Sequence, residues 1–317
     1  MNRSTLQAFI RGMWLESPHV VCLELLPADG ARWPDFAPGA HTDFQLPDGK
    51  VRSYSLVGRS GDGLGYRFGI KREEAGRGGA WLHDVARLGT RLEISLPKGD
   101  FTLAEDAPAT LFIAGGIGIT PLLPMMARLN EIGRPWELHY AVSQPCEMAF
   151  RQRIEDLAGE GGSVRTYFSD GSTDRMNIEA LVDGAAEGAH LYCCGPARMI
   201  DHYAKACVRR APQTVHFERF AADQEAATGG GFTLELARAG RTLAVPSGKT
   251  ILDVLLDAGV DVPYSCSQGV CGSCQTRVLA GEPDHRDCYL SDDERAANDS
   301  MLVCCSGARS ASLVLDL

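Results

Sequence analysis

Three cysteines set the first constraint on what this chain does. Cys266, Cys271 and Cys274 lie in C-S-Q-G-V-C-G-S-C, a C-x4-C-x2-C run. Thiolates are soft, strongly donating ligands, and a loop this short can wrap three of them around one side of a 2Fe-2S cluster. Gly269 and Gly272 leave room for backbone N–H groups to approach the sulfurs, and such contacts tune a cluster's potential. A fourth thiolate must come from further along. Three cysteines compete for that position: Cys288, 14 residues beyond Cys274, and Cys304 and Cys305, 30 and 31 beyond. A tetrathiolate zinc site is the alternative, but zinc sites favour two C-x2-C pairs, and only Cys271/Cys274 forms one here.

The segment before these cysteines supplies elements that can present them. Phe232-Thr-Leu-Glu-Leu and Thr242-Leu-Ala-Val alternate as a hairpin would, with Arg238-Ala-Gly-Arg at the turn. Thr250 can cap a helix over Ile251–Ala258, with Asp253 at the capping-box position and Gly259 ending it. The cysteine run resembles that of plant-type ferredoxins, whose last ligand follows a long excursion in an M-x-x-C setting. Met301-Leu-Val-Cys304 matches that setting. The resemblance implies Cys304 as the fourth metal ligand and a β-grasp fold for residues 232–317. This stretch carries 7 basic and 12 acidic side chains, which serve either solubility or docking to a basic partner.

A second chemistry precedes it. Leu111-Phe-Ile-Ala reads as a buried strand that runs into Gly115-Gly-Ile-Gly118-Ile-Thr-Pro121 and then an apolar helix from about Leu122. Gly115, Gly116 and Gly118 would let a phosphate-bearing ligand approach a helix N-terminus, where unpaired N–H groups favour anions. Thr120 is expected as the N-cap and Pro121 as the first helical residue. Pro121 stands where a dinucleotide fingerprint would have its third glycine. Leu191-Tyr-Cys-Cys-Gly-Pro repeats the strand–turn pattern about 80 residues on, before a helical stretch from Ala197 to Arg210. Two such units predict a parallel α/β sheet with its ligand at the carboxyl edge.

GGIGITP followed by YCCGP resembles the nucleotide domain of the ferredoxin–NADP reductase superfamily. The resemblance implies that the glycine turn holds pyrophosphate and that Thr120, Cys194, Gly195 and Pro196 flank the nicotinamide, an inert core thiol being the alternative for Cys194; Cys193, alternating with it, is expected in the core. Ser143-Gln-Pro-Cys-Glu147, after the second strand, offers no arginine for a 2′-phosphate, and Asp170 follows the next strand. NADH is therefore expected over NADPH.

A hydride donor and a one-electron cluster need a carrier that converts pairs of electrons to single ones, which a flavin does. The N-terminal third has the alternation and the Pro-Gly and Asp-Gly turns of an antiparallel β-barrel (Val20-Val-Cys-Leu-Glu-Leu; Asp43-Phe-Gln-Leu). Arg52-Ser53-Tyr54-Ser55 matches the superfamily's R-x-Y-S flavin motif. That match implies Arg52 on the flavin phosphate, Tyr54 on the isoalloxazine and Ser55 near N5. Gly76-Arg-Gly78-Gly79-Ala80 resembles the barrels' phosphate turn, with Ala80 where relatives commonly have Ser, leaving backbone amides and Arg52 or Arg77 to hold the phosphate. Ile70 and Lys71 complete the expected flavin contacts. His41 is expected to be structural.

The bulk properties agree. At 317 residues the chain calls for two or three domains. A net charge of −10 argues against nucleic acid. The uncharged stretch Ala109–Ala127 is interrupted by three Gly and two Pro and reads better as strand, turn and helix than as a membrane span. The opening MNRSTLQAFIRGMWLES has no apolar run of signal length, and eleven cysteines then point to a reducing, cytoplasmic setting.

From end to end, the order of flavin barrel, nucleotide domain and C-terminal ferredoxin resembles the phthalate dioxygenase reductase and vanillate demethylase reductase family. The resemblance implies FMN rather than FAD, a monomer, and electron flow from NADH through FMN and a 2Fe-2S cluster to a Rieske-type oxygenase acting on an aromatic compound. It also implies that Phe220, in Val215-His-Phe-Glu-Arg-Phe220, covers the flavin, so that Ser55, Thr120, Cys194 and Phe220 surround the hydride transfer. The expected division is a barrel over 1–102, a nucleotide domain over 103–221, a linker over 222–231 and a ferredoxin over 232–317. A haem-thiolate monooxygenase as acceptor is the alternative, and a non-enzymatic redox sensor the remote one.

Overall fold

A computed structural model describes residues 5–47, 49, 51–72, 77–220, 225–264 and 266–317. They divide into two compact units, Met1–Arg219 and Phe220–Leu317.

The first unit opens with a closed antiparallel barrel. Its strands are β1 (Thr5–Ser17), β2 (Val20–Pro27), β3 (His41–Gln45), β4 (Val51–Arg59), β5 (Tyr66–Lys71) and β6 (Arg91–Ser95), in spatial order β1-β2-β5-β4-β3-β6. Inward residues from alternate positions (Leu23, Leu25, Phe44, Leu56, Phe68, Ile70 and Ile94) are fully buried, as a small barrel filled by its own side chains requires. Phe44 meets Phe68 edge-on at 4.9 Å. Helix α1 (Arg77–Asp84) adds Leu82 to the same core.

A parallel sheet follows, built from β7 (Thr110–Gly115), β8 (Trp136–Val142), β9 (Gly162–Phe168), β10 (His190–Cys194) and β11 (Val215–Glu218), in the order β11-β10-β7-β8-β9. Every residue of β7 is buried, as expected of a central strand covered on both faces. Its connecting helices are α2 (Leu122–Glu131), α3 (Arg151–Gly161), α4 (Ile178–Gly184) and α5 (Ala197–Ala206). The chain leaves β7 toward β8 on one side and returns to β10 on the other, so a topological switch point, where such sheets bind ligands, lies between the ends of β7 and β10.

Three expectations change here. Thr120 is not an N-cap: residues Gly116–Ile119 form a 3-10 turn that runs directly toward α2. Thr120 is itself helical and its hydroxyl donates to the Ile117 carbonyl oxygen at 2.9 Å, the backward bond a helical threonine makes. Pro121 precedes α2 as its cap residue. The helix after Pro196 ends at Ala206, with a short 3-10 turn over Cys207–Arg209.

The second unit is a mixed sheet of β12 (Phe232–Leu236), β13 (Arg241–Val245), β14 (Gln275–Ala280), β16 (Ser300–Leu302) and β18 (Ser312–Leu315), with the small pair β15 (Pro283–Asp284) and β17 (Gly307–Ala308). The order is β13-β12-β18-β14-β16, and the first and last strands, β12 and β18, run parallel. Helix α6 (Ile251–Asp257) has the expected capping box, with Thr250 accepting from the Asp253 N–H and the Asp253 carboxylate accepting from the Thr250 N–H. Its apolar residues Ile251, Leu252 and Leu255 share one buried core with Leu234, Leu313 and Leu315. Helix α7 is Asp292–Ala297. Ala227 and Thr228 also belong to this unit: the Ala227 N–H donates to Cys305 O and the Gly248 N–H to Thr228 O, each at 2.7 Å.

Candidate functional site

The sulfurs of Cys266, Cys271, Cys274 and Cys304 form one group: Cys266 stands beside Cys271 and Cys304, and Cys304 also beside Cys274. Hydrogen bonding among these sulfurs holds the Cys266 and Cys274 thiols below the ordinary value and pushes Cys271 and Cys304 up. The Cys271 thiol itself donates to Ser273 Oγ at 3.4 Å. The Gln268 N–H donates to Cys266 Sγ at 3.3 Å. Cys266, Cys274 and Cys304 are buried and Cys271 is half-buried. Cys305 turns toward the Leu302 carbonyl, and the Cys288 thiol donates to Gly269 O at 3.8 Å. This donor set, four soft sulfurs converging with backbone amides aimed at one of them, fits a 2Fe-2S cluster.

At the switch point the two predicted turns interlock. A Cβ on Gly118 would lie 2.2 Å from Cys194 O, and one on Gly115 would lie 2.6 Å from the Pro196 ring. Gly195 abuts Gly115 N in the same way. Gly116, at φ +53°, faces open space, and the Tyr140 hydroxyl fixes its carbonyl at 3.0 Å. A groove edged by small residues and N–H groups is what a dinucleotide's pyrophosphate needs. Cys193 lies in the core, as expected, and the Cys194 thiol is also fully buried, with burial pushing its pKa up.

Sequence reasoning missed Glu218. It pairs in register with Cys194 at the end of β11, and its Oε2 is buried without a hydrogen-bond partner among the described residues. Burial pushes its pKa up to about 8. An orphaned acid beside the Cys194 turn can accept a hydrogen bond from an incoming carboxamide when ionised, or hold a proton when not. Its native pKa exceeds its unfolded value, so its burial penalty is absent below about pH 4.5, grows through the window up to about 8 and then levels off. Wild-type Tm should therefore fall relative to Glu218→Gln as pH rises from 5 to 8. Parallel melting curves at both pH values check this.

Beyond β8 and β9 a cleft of about 280 Å³ is lined by Ala141, Tyr167, Phe168, Ser169, Arg175 and Met176. Asp170 Oδ1 accepts from the Ser172 N–H and hydroxyl at 2.9 and 2.6 Å, bonds that hold its carboxyl below the ordinary range. An anion thus stands at the end of β9, although Arg175 reaches the same region, a cation that the spacing after β8 did not disclose. Asp170→Asn should raise kcat/KM for NADPH roughly tenfold, about what removing one like charge near a phosphate is worth at a protein surface, with little change for NADH. Steady-state ferricyanide reduction with each nucleotide measures it.

On the barrel, Arg52, Ser53 and Tyr54 of β4 are half-buried and Ser55 is buried. Ser53 is occupied internally: its hydroxyl donates to Asp43 Oδ1 at 2.7 Å. Arg52 Nη1 donates to Val51 O at 2.7 Å, and Tyr54 meets Phe44 edge-on at 4.9 Å. Gly79 lets the first turn of α1 settle on the end of β5, since a Cβ there would lie 2.7 Å from Lys71 O. His83 Nε2 donates to Ile70 O at 2.9 Å, which requires the Nε2–H tautomer. The amides of α1 are thereby gathered near Ile70 and Lys71, beside a half-buried Ala80. This close-packed helix N-terminus fits a flavin phosphate. Gly76 lies outside the described residues, and for Arg77 and Gly78 only the helical backbone is described. Thr120 Cγ2 would lie 2.7 Å from a Cβ on Gly69 of β5, so the nucleotide turn reaches the barrel here. His41 is structural, exchanging backbone hydrogen bonds with Lys98. Phe220 is half-buried at the start of the second unit.

Comparison with known proteins agrees with this geometry. Residues 234–309 match the 2Fe-2S iron-sulfur cluster binding domain family, and residues 112–205 the oxidoreductase NAD-binding domain family. The chain is 50% identical to the phenoxybenzoate dioxygenase subunit beta of Ectopseudomonas oleovorans over 89% of this chain and 88% of that one. It superimposes on phthalate dioxygenase reductase, described as a modular structure for electron transfer from pyridine nucleotides to [2Fe-2S], with a TM-score of 0.84 at 35% identity, covering 99% and 98% of the two chains. The chain belongs to the phthalate dioxygenase reductase family. The reductase is an NADH-dependent electron-transfer oxidoreductase that uses FMN and a 2Fe-2S cluster, of the kind that feeds oxygenase components. It is also similar, at 32% identity and a TM-score of 0.73, to part of an intact type IV self-sufficient cytochrome P450 monooxygenase, covering 99% of this chain and 41% of that one. No helix among the described residues is long and apolar enough to cross a membrane.

Proposed function

We propose that the reductase supplies single electrons to a Rieske-type oxygenase acting on an aromatic compound, and that it does so as a cytoplasmic monomer. The observation that carries this reading is the convergence of Cys266, Cys271, Cys274 and Cys304 in a chain that also holds a flavin-type barrel and a nucleotide turn. FMN, when bound, would supply a carrier able to accept an electron pair from NADH and give it up singly, and a 2Fe-2S cluster would supply the one-electron site. The division proposed is a barrel over 1–102, a nucleotide domain over 103–221 and a ferredoxin over 232–317, with a linker over 222–231 whose Ala227 and Thr228 are hydrogen-bonded into the ferredoxin unit.

Arg52 and the first turn of α1 hold the flavin phosphate, and Tyr54 lies against the ring. Gly115, Gly116 and Gly118 admit the pyrophosphate of NADH. Thr120, Gly195, Pro196 and the Cys194 main chain align the nicotinamide with Ser55, so hydride transfer is helped chiefly by orientation. Cys266, Cys271, Cys274 and Cys304 hold the irons.

Anaerobic mixing of the NADH-reduced protein with a purified Rieske oxygenase tests the acceptor: the oxygenase is reduced within turnover time if the reading is right and stays oxidised if it is wrong. A haem-thiolate monooxygenase is the second acceptor to try, because the same modules are similar to part of a cytochrome P450.

A further inference from the structure

We infer that Asp287 is a positioning residue for the cluster loop, acting through a bracket formed by residues 287–290. The inference rests on the reading of Cys266, Cys271, Cys274 and Cys304 as cluster ligands.

The bracket touches the ligand loop at both of its glycines. The main-chain N–H of Cys288 donates to Gly269 O at 3.1 Å. The ring of Tyr289 lies over Gly272, where a Cβ would come within 2.3 Å of it, and Gly272 sits at φ +73°. No other residue type leaves room for that ring, and few adopt that backbone angle. Behind the contacts, Leu290 is buried in the core of the module, while Tyr289 is half exposed on the outside. The ligand loop is therefore held between this segment and the remainder of the module.

Asp287 fixes the shape of the bracket. Its side chain is fully buried, and Oδ2 accepts the main-chain N–H groups of Tyr289 and Leu290 at 3.2 and 2.8 Å. Arg295 Nε stands 4.0 Å from Oδ2, and His285 Nδ1 stands 3.7 Å from Oδ1. Oδ1, His285 Nδ1 and Arg295 Nε are all buried without a hydrogen-bond partner among the described residues. A buried carboxylate with one oxygen unsatisfied is costly, and an apolar residue here would avoid that cost. What the carboxylate provides is the turn that aims the Cys288 N–H and the Tyr289 ring at the ligand loop. Removing it frees the cover over Gly269 and Gly272 and opens the Cys271 side of the cluster to solvent.

The test uses the full-length holoprotein. Iron release to bathophenanthroline disulfonate is followed anaerobically for wild type, Asp287→Ala and Tyr289→Ala, with the EPR spectrum of the dithionite-reduced protein recorded alongside. Both variants should release iron about tenfold faster, the size of effect usual for groups that orient metal ligands, and both should show the same altered EPR line shape, with FMN content and NADH–ferricyanide activity as in wild type. Wild-type release and EPR in Tyr289→Ala would overturn the inference, whether Asp287→Ala behaves as wild type, is merely less stable or fails to fold. Wild-type protein without iron would instead overturn the reading on which the inference rests.

Discussion

Cys304→Ser yields a yellow protein that still reduces ferricyanide with NADH but has lost its cluster and its ability to reduce cytochrome c. Among the described ligand candidates from outside the 266–274 loop, Cys304 is the one whose sulfur stands beside both Cys266 and Cys274, whereas the Cys288 thiol is turned to the Gly269 carbonyl. Serine offers a harder, less donating oxygen on a shorter bond, and the site is too buried for solvent to supply a substitute ligand. Changes to groups that merely orient ligands cost ten- to a hundredfold, so loss of a ligand should lower cytochrome c reduction by about a hundredfold or more. The barrel and the two glycine turns lie in the other unit, so the flavin-dependent activity should persist. Cys305→Ser and Cys288→Ser serve as controls and should keep iron and acid-labile sulfide. Iron, sulfide and flavin analysis beside the two acceptor assays measures all of this.

Gly118→Ala should have the second large effect, and the opposite pattern. The added methyl would lie 2.2 Å from Cys194 O and 2.7 Å from Gly195 N. Both are backbone atoms, which cannot turn aside as a flexible side chain can. The two turns must separate, and the groove they form for the nucleotide loses its shape. A displacement of about 1 Å in a reacting alignment can cost about a hundredfold, so kcat/KM for NADH should fall by roughly that factor in the ferricyanide assay. The cluster, reduced directly with dithionite, should give the wild-type EPR signal. Gly116→Ala meets no atom of the described residues beyond its chain neighbours within 4 Å and carries the strain of its positive φ, of order 1 kcal/mol, so its effect on folding should be small.

What could be read in the sequence was the chemistry that constrains neighbours. Cys266, Cys271 and Cys274 had to lie close in the chain because one small cluster needs them at once, and the glycines of residues 115–118 had to lie where a strand turns into a helix. Cys304 could be proposed as the fourth ligand only through its Met301 setting, since spacing alone left Cys288 and Cys305 open. Where the outcome depended on what a residue meets in space, the sequence was silent. The acidity of Glu218 is set by burial at the end of β11, the narrowness at Gly118 by a carbonyl from a distant strand, and the Ser53 hydroxyl by Asp43 on the neighbouring strand. Thr120 was misread because a 3-10 turn continues into α2 and leaves no extended residue to act as a cap. The bracket at Asp287–Leu290 was likewise hidden, because Cys288 drew notice as a possible ligand and not for its main-chain N–H.

An anaerobic titration of the purified holoprotein with NADH, followed by visible absorption and EPR, tests the central claim most directly. NADH should bleach the flavin and iron–sulfur bands and produce the EPR signal of a reduced 2Fe-2S cluster, in protein containing FMN and equal amounts of iron and acid-labile sulfide. A flavin that bleaches while the cluster stays oxidised and EPR-silent, or a colourless protein with zinc at the four cysteines, would contradict it.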